Sequence, residues 1–144
     1  MPTARWNCEL AVGAPMFDTT NHKIFARLRR LAGLGPAEFA QAFPHTVAAL
    51  ERAFRAEEAL MEQMDYPGLA CHREQHARAL SGLHHAAAAL ALGDAGPAHR
   101  AVLLVNDWLC LHITTMDRVL ALALRMASEA ASPYPEEPSL ARPG

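Results

Sequence analysis

The sequence predicts an all-α chain folded as an up-down-up-down antiparallel four-helix bundle with an irregular N-terminal arm, and three observations carry that expectation. Alanine and leucine dominate the composition, and nothing alternates β-branched with polar residues as a strand would. Glycine and proline gather at short joints that cut the chain into four helix-length pieces. Within those pieces apolar residues recur at three- and four-residue spacing, which lines one face of a helix. Short joints make consecutive helices antiparallel neighbours.

Taken in order, residues 1–17 read as the arm, interrupted by Pro2, Gly13 and Pro15, with Trp6 pinning it onto the bundle. Asp18 reads as the N-cap of a first helix that reaches Leu31 and stops at Gly33, Gly35 and Pro36; Ile24, Phe25, Leu28 and Leu31 form its stripe. A second helix starts at Pro36 or at Pro44 and runs to Met64, carrying Leu50, Phe54, Leu60 and Met61, before the turn Asp65-Tyr66-Pro67-Gly68. The third, alanine-rich helix spans about Leu69 to Leu92 and ends at Gly93. Pro97 suits the first turn of a fourth helix that continues to about Ser128, with Leu104, Trp108, Leu111 and Val119 as its stripe. Residues 1–131 thus form one bundle domain, and residues 132–144, with three prolines in the first seven, form a tail.

Composition narrows the function. A chain of 144 residues suits one domain with one core. Apolar runs such as residues 86–92 fall far short of the ~20 residues that span a bilayer, so no membrane association is expected. A net charge of −2 gives no basic surface for nucleic acid. Three scattered cysteines without a CxxC spacing, and no leader-like start, point to a reducing cytoplasm.

The chemistry lies in the histidines. His72 and His76 are four apart on the third helix and project from one face, a spacing at which two imidazoles meet one metal ion. His112 and Asp117 are five apart, about 140° around a regular helix, so they converge only through a π-like bulge or from opposite flanks of a cluster. His22 lies beside Ile24 and Phe25 in the first helix. Glu57 and Glu58 sit between Phe54 and Leu60-Met61, so one carboxylate must face the apolar side, where it needs a partner or a metal. A mixed nitrogen and oxygen set suits iron or manganese better than structural zinc. Glu-x-x-His does not occur, which argues against the ferritin-like class. Cys71 and Cys110 flank these residues in sequence but fall on other helix faces.

In this combination and order the chain resembles the bacterial hemerythrin family. The resemblance is carried by Trp6, Val12-Gly13, Asp18-x-x-x-His22-Lys23, Phe54-x-x-Glu57-Glu58-x-Leu60-Met61, Tyr66-Pro67-Gly68, His72-x-x-x-His76, Asp107-Trp108-Leu109-x-x-His112-Ile113 and Asp117. It implies a bundle with two non-heme irons that binds O2 or other small ligands. By the same resemblance His72, His76 and His112 hold one iron, Glu57 and Asp117 bridge, and His22 belongs to the second. One position departs: where the family has a second histidine for that iron, four residues before the bridging glutamate, this chain has Ala53. His45 lies ~12 Å along the helix from that position and cannot replace it. Three functions stay open on the residues: an O2 carrier, an iron site that reduces peroxide or oxygen, and a metal-poor bundle that acts as a binding or sensing module.

Overall fold

The computed structural model describes residues 10–131; the expectations for Trp6 and for residues 132–144 fall outside that span. Four rods alternate in direction. Helix α1 covers Pro15–Ala32, α2 Pro36–Gln63 and α3 Leu69–Ala91; the fourth rod is α4, Gly96–His112, a π-helical turn Ile113–Asp117, and α5, Arg118–Ala130. α1 packs on α2 and α4, and α3 packs on the same two, which closes the ring of an up-down-up-down bundle. Among the described residues no helix is long and apolar enough to cross a membrane.

Each joint follows from local chemistry. Pro15, Pro36 and Pro97 stand in first turns, where a missing N–H costs nothing. Of the two starts open for the second helix, Pro36 is the one used, and Pro44 lies inside α2. There it leaves the Ala40 carbonyl without its donor, on an exposed residue that water can reach. Gly93 closes α3 at φ +92°, with its own N–H on Leu90 O and the Asp94 N–H on Ala89 O. At Gly68 a Cβ would lie 2.8 Å from the Tyr66 ring, so the tight turn between α2 and α3 depends on its absence.

Asp18 does not cap α1. The helix starts three residues earlier, and the Asp18 carboxylate accepts the backbone N–H groups of Val12 at 2.8 Å and Gly13 at 3.2 Å. It ties the arm down, while Leu10 and Val12 enter the core. Replacing Asp18 with alanine should cost about 1–2 kcal/mol in urea unfolding and speed proteolytic cleavage near residue 12. Unchanged stability and cleavage would show that the arm is held by its apolar contacts alone.

The core is built from Ile24, Phe25, Leu28 and Leu31 of α1, Phe39, Phe43, Leu50 and Met61 of α2, and Leu83 and Ala86 of α3. The fourth rod corrects the sequence reading. Leu104, Leu111 and Val119 are 70%, 64% and 57% exposed and Trp108 is half-buried, while Ala98, Val102, Val105, Leu109, Ile113 and Leu120 face inward. This rod carries apolar residues on both sides, so their spacing does not single out the buried face. The buried polar residues Asn106, His112 and Asp117 mark it instead.

Candidate metal centre

Three rods deliver five side chains to one point near the bundle axis. α3 presents His72 and His76, each 1% exposed, from successive turns. α2 contributes Glu57 from the face that also buries Phe54 and Met61. The fourth rod contributes His112 and, through its π turn, Asp117. Hydrogen bonds spanning five residues widen the turn, so residues five apart come to lie on one face. The Thr114 hydroxyl donates to Cys110 O at 2.9 Å, and that of Thr115 to Leu111 O at 2.6 Å, which gives carbonyls beside the bulge a donor.

The donors crowd. His112 Nε2 lies 3.1 Å from Nε2 of both His72 and His76 and 3.1 Å from Asp117 Oδ1. His72 Nε2 lies 2.6 Å from Glu57 Oε1 and 3.0 Å from Asp117 Oδ1. Each Nε2 carries at most one proton, so protons cannot satisfy all these contacts. A divalent cation can, because it accepts a lone pair from every one of these atoms at once. The set of three neutral imidazoles and two carboxylates therefore fits a metal ion, and its mixed nitrogen and oxygen character suits iron. Glu57, His72, His76 and His112 are the one group of three or more such residues, among those described, whose ligand atoms lie within 4.8 Å of one another.

Electrostatics show what the donors do without the ion. Burial raises the Glu57 carboxyl to about 8, against the pull of its contact with His72. Burial pulls His72 down, but Asp117 and Glu57 together outweigh it and lift the imidazole to about 9. His76 falls to about 3, through burial and then the neighbouring His112 and His72. Burial alone would raise Asp117, yet its contacts with His112, His72 and Glu57 hold it well below the usual carboxylate range. The free centre thus stores protons on Glu57 and His72.

A second layer fixes two of the three imidazoles. The Phe54 ring stacks on His76 at 4.0 Å, and Trp108 stacks on His112 at 4.6 Å. Glu58 Oε1 takes a hydrogen bond from His76 Nδ1 at 2.9 Å, which turns the Nε2 lone pair toward the centre. Glu58 is thus no alternative ligand; it orients one. Cys71 is exposed and Cys110 half-buried, and neither joins the cluster.

His22 does not reach this point. It is exposed on α1, and Asn21 is buried in its place, 6% exposed, in register with Phe17, Ile24, Phe25 and Leu28. The helical period held the signal: residues 17, 21, 24 and 28 share a face that residue 22 leaves. Asn21 and Ala53 line a cavity of about 280 Å³ that also touches Glu57 and Asp117.

Comparison with known proteins agrees with this construction. The profile of the hemerythrin HHE cation binding domain matches residues 12–124. A bacteriohemerythrin from Ralstonia nicotianae (strain ATCC BAA-1114 / GMI1000) is 30% identical over 120 residues, covering 83% of this chain and 88% of that protein.

Proposed function

This chain belongs to the hemerythrin HHE domain family, and on that premise we propose that it is a non-heme iron protein that binds O2, for storage or delivery, in the cytoplasm. The observation that supports it best is the buried convergence of His72, His76, His112 and Glu57, with Asp117 against His72 and His112. Iron, when bound there, supplies a redox-active ion to which a small ligand can coordinate. His72, His76, His112, Glu57 and Asp117 would hold the ion. The protein's part is to shield the imidazoles: Phe54 stacks on His76, and Met61, Leu109 and Ile113 are buried in the same core. Glu58 keeps His76 in the tautomer that offers Nε2.

The test uses the full chain loaded with iron(II) under argon. Admitting air should produce a charge-transfer absorption that disappears on returning to argon. A spectrum that never changes would overturn O2 binding. A change that does not reverse, with continuous oxygen or peroxide consumption once a reductant is added, would make the protein an oxidoreductase.

A further inference from the structure

We propose that this centre holds one metal ion rather than two, and that the cavity between α1 and α2 is a chamber for a small ligand beside that ion, with the Asn21 amide as its hydrogen-bond donor. The inference deepens the iron reading above and rests on it.

Donor chemistry argues for a single ion. On the α1–α2 side of the two carboxylates lie Asn21, Ala53, Phe17 and Thr20, none of which offers an imidazole. His22 is exposed on another face of α1, and His45 lines a separate pocket with Arg27 and Arg30. A second ion would find only oxygen donors, of which Asp117 Oδ1 already faces His72 and His112, and Glu57 Oε1 faces His72.

What remains on that side is built to receive a ligand. Asn21 is buried, and its Nδ2 has no hydrogen-bond partner, a condition rare for a buried donor. It lines the same cavity as Glu57 and Asp117. The volume of about 280 Å³ takes a diatomic or triatomic molecule with water to spare, since one water occupies about 30 Å³. The remaining walls include the apolar Phe17, Ala49, Ala53, Phe54 and Leu109, and the exposed Arg52 stands at the rim. The ligand class is therefore a neutral diatomic or a compact anion with a free acceptor atom at the end away from the metal.

Two measurements on the full chain decide this. Elemental analysis after anaerobic iron(II) loading and desalting should give one iron per chain, and Asn21→His combined with Ala53→His should raise this to two. Azide then serves as the probe for the chamber, titrated by absorbance into the ferric protein. Asn21→Leu should keep one iron and bind azide roughly tenfold more weakly. Two irons in the unmodified chain would overturn the single-ion assignment and leave the iron reading standing. No iron would overturn both. Azide affinity unchanged in Asn21→Leu, even with an altered melting temperature, would make Asn21 a packing residue and overturn the chamber.

Discussion

Substituting His112 with alanine should strip the bundle of its metal while leaving it folded. His112 is the hub of the cluster: its Nε2 is 3.1 Å from the Nε2 of each other imidazole and from Asp117 Oδ1. Loss of a residue that merely supports a metal ligand typically weakens binding 10–100-fold, so loss of a ligand should exceed about 100-fold. The fold should survive, because the apolar core runs far beyond the centre through Phe25, Phe39, Phe43 and Leu50. The truncation costs on the order of 1–3 kcal/mol against a domain stability of about 5–15 kcal/mol. The control is His84→Ala. That residue is exposed and pairs with Glu51 away from the cluster, so its loss should leave metal content unchanged. Elemental analysis after dialysis, with far-UV circular dichroism for the fold, separates the two variants. A full equivalent of iron retained by His112→Ala would mean that the ion sits elsewhere.

How much of this was legible in the sequence depends on which physical signal each residue carries. His72 and His76 were readable because the four-residue spacing fixes their shared face whatever the rest of the chain does. The π turn was readable as one of two options: His112 and Asp117 could share a point through a widened turn or from opposite flanks of a cluster, and the helix does widen at Ile113–Asp117. That one of Glu57 and Glu58 must face inward was readable from the cost of a carboxylate beside Phe54 and Met61, while the choice of Glu57 rested on the family resemblance. His22 misled because residue type was weighed ahead of register; the inward position on α1 belongs to Asn21, an amide that draws no notice in a search for ligands. The fourth rod misled because it is apolar on both sides: Leu104, Leu111 and Val119 face out, while Val102, Val105, Leu109 and Ile113 face in beside the polar Asn106. Asp18 looked like an N-cap by type, yet Pro15 starts the helix a turn earlier and frees the carboxylate to hold the arm. Glu58 as the partner of His76 needed the distance between α2 and α3, which no single-helix pattern contains.

Removing the metal with a chelator should lower the melting temperature, and the gap between loaded and metal-free chains should widen from about pH 6 to about pH 9. The sign follows from the protons on the free centre. Glu57 is raised from 4.5 to about 8, so its contribution to folding is full below 4.5 and is lost as pH rises through 8. His72 is raised from 6.5 to about 9, so its contribution is full below 6.5 and is lost as pH rises through 9. His76 acts oppositely but lower: its pKa of about 3 makes its contribution complete above 6.5 and lost only as pH falls toward 3. Across the window the metal-free chain therefore weakens, left with two buried carboxylates, Glu57 and Asp117, and no compensating charge. Metal binding moves the other way, because the ion needs the ionised Glu57 and the neutral His72 and must displace the protons they hold. Its affinity rises with pH, and each tenfold gain adds about 1.4 kcal/mol to the stability of the loaded chain at saturating metal. Paired thermal melts at fixed free metal, with proton release followed by an indicator dye in weak buffer, measure both halves. A gap that stays constant or narrows with rising pH, or metal uptake without proton release, would place the ion on groups other than Glu57 and His72.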